Sequence, residues 1–367
     1  MGVNPKTPQV RYQQRLKRAL GVLYWVVLSL VGSAAAQAQA PVVAVWLPLQ
    51  SGTLDTLGAS GKALDKTTAM AWEFAAGFRL MADSLHLEVV WIDEFSKSVF
   101  RINGQTVPGY PALAAELNRA GIRMVVGPMQ SSASEQLAQT WKGIVVNPVS
   151  RSTSVEAKAN LWAATPRNQD EAYGMGYGLA DLCTTYQILT PVESSPTAGK
   201  PAMRESQFQA GFAARKNQAS LEVSPVFDLP KVPCRVLPAG TTATLLKTVA
   251  THSAGSRLVL VGSAAESPSL EPRTFVQKDA VWSEIESWDY ANPDLQQWSG
   301  AYNRQWNAEP GRWSYHGMAM AQWVSAQVQS GDWNRPVPLE TPFKPFRWYQ
   351  PEATSGFANY GVRWARP

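Results

Sequence analysis

The stretch Ile122 to Thr153 constrains the fold more than any other part of the chain. A β-branched run ends at Gly127-Pro128, a helical pattern follows, and a second apolar run, Gly143 to Val146, ends at Asn147-Pro148. Two short strands joined through a helix pair most simply as neighbours in a parallel sheet. The stretch therefore predicts a βαβ unit and an α/β fold.

The same alternation extends to both sides of this unit and restarts after Asn168, as if the chain entered a second sheet. We therefore predict an α/β fold with two doubly wound parallel-sheet lobes. The first set of predicted elements comprises strands at Val42 to Leu49, Leu87 to Ile92 and Leu161 to Thr165, with helices at Lys66 to Leu85, capped by Asp65, and Pro111 to Ala120. The second set comprises helices at Asp170 to Thr185, Arg204 to Lys216 and Thr241 to His252, with strands at Gln187 to Val192, Leu221 to Leu229 and Arg257 to Gly262.

The last part of the chain returns to complete both lobes. We predict a strand at Val281 to Trp288, helices at Pro293 to Trp306 and Trp313 to Gln329, and an antiparallel pair of Phe343 to Tyr349 with Tyr360 to Ala365. The predicted boundaries are 1–38 for a signal peptide, 39–166 for lobe 1, 167–280 for lobe 2 and 281–367 for the returning segment.

The N-terminal segment has the pattern of a cleavable secretory signal. A basic region precedes the apolar run Ala19 to Gly32, and Ala36-Gln37-Ala38 fits the small-residue cleavage pattern. An uncleaved membrane anchor is the alternative. The segment carries five of the 33 basic residues and none of the 28 acidic residues, so the mature chain has 28 of each and is formally neutral. This balance argues against nucleic acid as a partner. The signal pattern predicts that the mature protein is periplasmic or otherwise extracytoplasmic.

Cys183 and Cys234 are the two cysteines of the chain. An extracytoplasmic compartment permits disulfides, and both residues fall in predicted lobe 2, Cys183 in a helix and Cys234 after a strand. One bridge and two separate buried thiols are both consistent with the spacing.

Two hydroxyl-rich turns follow the strands of the opening stretch. Ser131 and Ser132 begin the helix, where free backbone N–H groups and the helix dipole favour an anion. The alternative is simple N-capping by serine. Ser150 to Thr153 follow the next strand, and parallel strands place both turns at one edge of the sheet. The sequence thus predicts a binding site for an anionic group at this edge.

The order of several weak motifs resembles the type I periplasmic-binding-protein family, the branched-chain-amino-acid-binding class of solute receptors. VVAVWLPLQSG is similar to the opening strand and turn of the family, VVGPMQSSAS to its G-P-x-x-S segment, and VVNPVS to its I-S-P-A segment. ATPRNQDEAYGMG resembles the segment that crosses between the lobes. The tail TPFKPFRWYQPEATSGFANYGVRWARP resembles a divergent branch of secreted proteins with this fold.

The resemblance implies a small ligand clamped between two lobes. Ser131 or Ser132 matches the carboxylate-binding serine, and Val149 and Ser150 match a turn of backbone donors. Arg151 departs from the usual hydroxyl residue, and it would either bind an anion or fill the subsite. Glu266 matches, within one position, the ammonium-binding carboxylate.

The candidate ligands are an amino acid, an organic acid or a peptidoglycan fragment, and an ABC permease or an envelope protein is the candidate protein partner. No cofactor, metal site or catalytic residue is predicted, because nucleophile-elbow, Walker and C-x-x-C patterns are absent and the three histidines lack ligand spacing. Gly174 to Gly178 is interpreted as close helix packing. The alternative function is a ligand-free scaffold that regulates envelope or cell-wall machinery. Exposure of any of five tryptophans would favour this alternative, because tryptophans anchor protein interfaces: Trp282, Trp288, Trp298, Trp306 and Trp313.

Overall fold

The computed structural model describes residues 42–51, 64–96, 98–156, 158–188, 199–217, 232–237, 255–260, 279–284 and 292–365. These residues belong to one compact unit that begins at Val42. The predicted signal segment, 1–38, lies outside the described residues.

The described elements alternate between strands and helices in the first half of the chain and again in the second. The strands are β1 (Val43–Leu47), β2 (Val89–Ser96), β3 (Val99–Ile102), β4 (Gln105–Pro108), β5 (Met124–Val126), β6 (Ile144–Asn147), β7 (Leu161–Ala163), β8 (Cys183–Ile188), β9 (Val232–Leu237), β10 (Arg257–Leu260), β11 (Ala280–Glu284), β12 (Leu339–Glu340), β13 (Pro345–Phe346), β14 (Trp348–Tyr349), β15 (Ala358–Asn359) and β16 (Arg363–Ala365). The helices are α1 (Lys66–Ser84), α2 (Gly109–Arg119), α3 (Ser131–Thr140), α4 (Asn168–Leu182), α5 (Gly199–Asn217), α6 (Pro293–Trp306) and α7 (Arg312–Ser330).

The first sheet has nine strands in the order β14-β15-β7-β6-β5-β1-β2-β3-β4. Its centre, β7-β6-β5-β1-β2, is parallel, with registers such as Val45 beside Val126. The strand order reverses between β1 and β5, and open α/β sheets bind ligands at the carboxyl ends of strands at such a reversal. The two turns predicted to bind an anion follow β5 and β6 at this edge.

Helices cover both faces of the first sheet, as the fold class requires. One apolar core lies between the sheet and α1, α6 and α7, and a second lies between the sheet and α2 and α3. The central strand β1 contributes alternate residues to the two cores and is fully buried from Val43 to Leu47. A strand buried on both faces reads as a continuous apolar run, which is why VAVWL has no polar residue.

Helices α1 and α7 cross at two glycines that let the backbones meet. A Cβ at Gly77 would overlap the Ser314 carbonyl, and a Cβ at Gly317 would overlap the Phe74 carbonyl. At the start of α1 the predicted cap is confirmed, because the Asp65 carboxylate accepts from Thr67 N at 2.9 Å and Thr68 N at 3.0 Å. This crossing fixes α7, and therefore His316, above the first sheet.

The second sheet has the order β16-β11-β10-β9-β8, parallel from β8 to β11 and antiparallel at β16. Helix α4 packs against α5 through glycines, since a Cβ at Gly176 would overlap the Phe208 carbonyl and a Cβ at Gly211 the Tyr173 carbonyl. The interpretation of Gly174 to Gly178 as close helix packing is confirmed at Gly176. Two parallel-dominated sheets with packed helices confirm the predicted α/β class.

Cys183 and Cys234 form a disulfide, with their Cα atoms 5.7 Å apart. Of the two alternatives left open by the sequence, one bridge or two separate thiols, the structure has the bridge. The local prediction was wrong in detail, because α4 ends at Leu182 and Cys183 begins β8, while Cys234 lies inside β9. The bond joins the two neighbouring strands β8 and β9 of the second sheet.

Two other local features differ from the predictions. No strand was predicted between Ile92 and Pro111, yet this segment contains the hairpin β3–β4, whose turn residues Asn103 and Gly104 both have positive φ, at 50° and 79°. Asn-Gly is a strong hairpin signal, so the sequence did carry this information. In the tail, β14 pairs with β15, whereas β16 crosses to the second sheet and pairs with β11. The predicted elements Leu221 to Leu229 and Thr241 to His252 lie wholly outside the described residues.

We expect Gly317→Ala to lower the free energy of unfolding by about 1–3 kcal/mol, because the added methyl group must push α7 away from α1. Chemical denaturation at neutral pH measures this change. Gly300→Ala is the matched control, since its Cβ would meet Arg304 Nη1 at an ordinary 3.5 Å, and a better helix former should stabilise α6 slightly. Equal effects at both positions would contradict the packing argument.

Candidate functional site

The two hydroxyl-rich turns meet at the edge of the first sheet. Ser152 Oγ donates to Ser131 Oγ at 3.3 Å, and Ser150 Oγ lies 3.0 Å from Ser152 Oγ. Ser131 is half-buried, whereas Ser132 and Ser152 are exposed. The structure therefore brings together the helix start after β5 and the turn after β6, as the parallel arrangement predicts.

The serines at the start of α3 do not cap it. The N-cap residue is Gln130, and its side chain makes no capping hydrogen bond. Ser131 and Ser132 belong to the first helical turn. Ser134 lies deeper, fully buried, and its hydroxyl donates to the Pro128 carbonyl at 3.0 Å. The N-terminal N–H groups of α3 therefore lack a side-chain cap, and Ser134 has a structural role beneath them.

Asn147 organises both turns from below. Its side chain is fully buried, and its Nδ2 lies 2.9 Å from Pro128 O and 2.8 Å from Ser134 Oγ. Its Oδ1 accepts from Val149 N at 3.2 Å and from Ser150 N at 2.7 Å. One side chain thus fixes the start of α3 against the turn after β6. It also engages the two backbone donors that the sequence assigned to a ligand.

A buried polar cluster holds the same turn from the α7 side. His316 Nε2 lies 2.8 Å from Pro148 O and 2.8 Å from Lys344 Nζ, and Thr165 Oγ1 donates to Pro148 O at 2.7 Å. His316 and Lys344 are almost fully buried, and Lys344 Nζ also lies 4.8 Å from the Phe346 ring. His316 Nε2 either accepts a hydrogen bond from Lys344 or, in the other tautomer, donates one to the Pro148 carbonyl. Thr165 donates to the Pro148 carbonyl in both cases.

Arg151 points from the turn to helix α4. Its Nη2 donates to Glu171 Oε2, and the arginine side chain is 43% exposed whereas the glutamate side chain is 11% exposed. Glu171 lies in the first turn of α4, the helix that leads into the second sheet. The guanidinium predicted to bind an anion is therefore paired with an acid of the same chain.

A second arginine, Arg167, is held at the crossing between the sheets. Its Nε donates to Asp170 Oδ2 at 2.6 Å and its Nη2 to Asp170 Oδ1 at 2.9 Å, while Nη1 donates to Glu156 Oε1 at 2.7 Å. Burial alone would raise the pKa of Glu156, but the hydrogen bond to Arg167 and its charge outweigh burial and lower that pKa. The network joins segment 153–156 to the start of α4.

Tyrosines complete this crossing. Tyr349 in β14 donates through its hydroxyl to Asp170 Oδ1 at 2.7 Å and stacks on Tyr173 of α4, with ring centroids 4.7 Å apart. Burial raises the pKa of the Tyr349 hydroxyl, and the Asp170 carboxylate raises it further. Tyr360 packs edge-on against Tyr173 at 5.2 Å, and Gly174 meets the Tyr360 carbonyl. The first two turns of α4 are thereby attached to the C-terminal segment.

The loop after β1 is held at the same sheet edge by Asp93. This carboxylate, 8% exposed, accepts from Gln50 N and Ser51 N, both at 2.8 Å. Trp72 of α1 donates through its indole N–H to Leu49 O at 3.0 Å. These hydrogen bonds therefore fix the conformation of Leu49 to Ser51, the first residues after β1.

The structure brings together five of the six predicted site residues, namely Ser131, Ser132, Val149, Ser150 and Arg151. Glu266 lies outside the described residues, and the ligand roles of all six stay predictions. The sequence did not single out Asn147 or Glu171. The Asn-Pro pair at the end of β6 was a signal for the first, but none pointed to the second.

The described residues contain no group of three or more His, Cys, Asp or Glu side chains arranged to hold a metal ion. Within the same ranges, the helices are too short or too polar to cross a membrane. Of the three histidines, His316 is buried against Pro148, His86 is exposed, and His252 lies outside the described part of the chain.

We expect Asn147→Ala to lower the free energy of unfolding by about 2–4 kcal/mol, because it leaves buried donors and acceptors of both turns without partners. Urea denaturation measures the change. Asn303→Ala removes an exposed amide that binds only Glu309 among its described contacts, at 2.9 Å, and should have little effect. A neutral Asn147 variant would contradict the proposed organisation of the turns.

We expect Glu156→Gln to destabilise the protein at pH 7 by up to about 1 kcal/mol, since the carboxylate is 37% exposed and screened by solvent. The folded pKa of Glu156 is lowered, so its contribution is present above the unfolded value of about 4.5 and is lost as the pH falls through the folded pKa. Urea titrations of the wild type and the variant should therefore differ at pH 7 and converge in acid. A constant difference, or the same trend for the exposed Glu352→Gln, would contradict this assignment.

Comparison with known proteins identifies solved structures with a similar fold. No protein-family profile matches the sequence. No curated protein matches it either. Among solved structures, LpoA from Haemophilus influenzae superposes with a TM-score of 0.52 and 14% identity, over 90% of this chain and 57% of the LpoA chain.

Two further structures are similar at lower TM-scores. The C-domain of Haemophilus influenzae LpoA, described as a regulator of PBP1A, has a TM-score of 0.49 and 12% identity over 88% of this chain and 96% of that domain. An ABC transporter substrate-binding protein from Desulfitobacterium hafniense in complex with Leu has a TM-score of 0.42 and 15% identity, over 89% of this chain and 96% of that one. At these identities the likeness concerns the fold alone. The chain shares its α/β fold with LpoA, which agrees with the fold class predicted from the sequence.

Proposed function

We propose that the protein is an extracytoplasmic solute-binding protein whose first sheet binds the anionic group of a small polar ligand. The observation that carries this proposal is the hydrogen bond between Ser152 and Ser131, which joins two hydroxyl-rich turns at the carboxyl edge of the sheet. Open α/β sheets place ligands at this edge. The uncapped start of α3 adds backbone donors and the positive end of a helix dipole.

The rigidity of the site supports a binding role. Asn147 fixes the two turns to each other, and His316 and Thr165 fix the Pro148 carbonyl. Polar groups that are held in place before the ligand arrives lose little conformational entropy on binding. The ligand classes that fit hydroxyl and guanidinium donors are amino acids, organic acids and peptidoglycan fragments, and delivery to an ABC permease is the corresponding role.

A ligand-free scaffold of the same fold is the second candidate. Two observations favour it: Arg151 and the N–H groups of Val149 and Ser150 have partners within the chain, and Trp306 at the end of α6 is 40% exposed. Exposed tryptophans anchor protein interfaces. Such a scaffold would act on envelope or cell-wall proteins by contact.

We expect the thermal midpoint of the mature protein to rise when one of three ligand classes is added: amino acids, small organic acids or muropeptides. A ligand that binds only the folded state stabilises that state. A thermal-shift series at fixed pH measures this. Ser131→Ala and Arg151→Ala should abolish the shift while circular dichroism shows a folded protein. Ser154→Ala, which removes a nearby exposed hydroxyl bound to Glu156 at 2.9 Å, should keep it.

The scaffold function would replace the solute-binding function if two results are obtained. No ligand of the panel raises the thermal midpoint, and the protein captures an envelope protein in a binding assay that Trp306→Ala weakens. A full ligand response in both site variants would instead show that the ligand binds elsewhere on the protein.

A further inference from the structure

We propose that Glu171 is an internal competitor for the anion site, which holds the Arg151 guanidinium until the anionic group of a ligand takes its place. The proposal rests on the proposed function and specifies how the same site is regulated. It assigns to Glu171 a role that the sequence motifs do not indicate.

The geometry of the pair allows an exchange. The Arg151 side chain is 43% exposed, so part of the guanidinium faces solvent and is accessible to a ligand. Glu171 approaches from α4, whose remaining turns pack on the second sheet and on α5. An arginine has five N–H donors in a planar fork, and the described bond uses Nη2. A ligand carboxylate can therefore engage the fork while Glu171 withdraws.

The local charge balance explains why an exchange is required. Around the crossing, two guanidinium groups, of Arg151 and Arg167, face three carboxylates, of Glu156, Asp170 and Glu171. The formal charge of this group is 2 minus 3, or −1. An added anion would meet a net negative neighbourhood unless one carboxylate left Arg151. Displacement of Glu171 removes this repulsion at the point where the ligand binds.

Arg167 shows what a fixed arginine looks like in the same region. Its side chain is 7% exposed, and Asp170 binds it through two parallel hydrogen bonds while Glu156 takes a third donor. Such a bidentate, buried arrangement is costly to open. Arg151 has a single described partner in an exposed setting, so the structure separates one structural arginine from one exchangeable arginine.

The exchange has a mechanical consequence. The Arg151–Glu171 pair attaches the turn of the predicted site to the first turn of α4. When the ligand replaces Glu171, this attachment is lost while the Arg167–Asp170 and Tyr349–Asp170 contacts persist. Ligand occupancy is thereby coupled to the position of α4, and the cost of releasing Glu171 lowers the apparent affinity by a constant factor.

The test measures affinity in the mature protein with benzoate, L-leucine and inorganic phosphate as probes, by calorimetry at pH 7. Glu171→Gln removes the competing charge, and we expect at least about fivefold tighter binding of the probe that the wild type binds. Glu135→Gln is the matched control, because Glu135 also faces this turn, with Oε1 3.3 Å from Ser154 N, but it pairs with Lys158. It should leave the affinity unchanged.

Each outcome decides the proposal. Tighter binding by Glu171→Gln alone supports the exchange. Binding by that variant when the wild type binds no probe would show that no probe displaces Glu171 in the native protein, and it overturns the exchange. Equal affinity of wild type and variant overturns the exchange and leaves the proposed function standing. Absence of binding in both overturns both. If Glu171→Gln does not fold, Glu171→Asp, which keeps the charge but shortens its reach, replaces it with the same expected direction.

Discussion

The hydrogen bonds of Asn147 are the interaction on which the candidate site depends. This buried amide lies at the end of β6, yet it bonds to the loop after β5, to Ser134 in α3 and to the backbone of its own turn. A buried amide that is fully bonded specifies one arrangement, because any displacement leaves polar groups without partners in a dry interior. The serines above it are positioned by this constraint, so their hydroxyls meet although the two turns lie about twenty residues apart in the chain.

The charged residues around the crossing divide into two groups with different roles. Asp170 is fully buried and is bonded by Arg167 and by the Tyr349 hydroxyl, so the start of α4 is attached both to segment 153–156 and to the C-terminal strands. Buried pairs of this kind specify geometry more than they add stability. Arg151 lies beside them with a side chain that is 43% exposed, whereas its partner Glu171 is buried. The rigid group keeps α4 in register, and the proposed exchange concerns only the Arg151–Glu171 pair.

The sequence predicted the parts of the fold that depend on local signals. Helix α6 begins and ends where expected, because Asn292 caps it and Pro293 occupies its first turn. The five parallel strands at the centre of the first sheet followed from their apolar runs. The strand pairing of the tail was predicted less well. The alternating pattern around Tyr349 and Tyr360 is the same whichever sheet a strand joins, so the pattern does not identify the partner strand. Only the partner strand β11 decides that β16 pairs in the second sheet.

The candidate site shows the same limit. The serine turns were visible because hydroxyl residues follow strand ends, and parallel topology places strand ends together. The pairing of Arg151 with Glu171 was not visible, because it joins residues twenty positions apart across a crossing whose path only the fold determines. An arginine in a binding turn therefore indicates an anion site only when its internal partners are known.

The C-terminal segment connects the two sheets. It supplies β14 and β15 to the first sheet and β16 to the second, and Lys344 within it reaches His316 and the Ala164 carbonyl beneath the candidate site. Tyr349 from the same segment stacks on α4. A segment bonded to both sheets and to the helix between them connects α4 to each sheet. In the proposed exchange, release of Glu171 from Arg151 is the local change that would alter the position of α4 within these contacts.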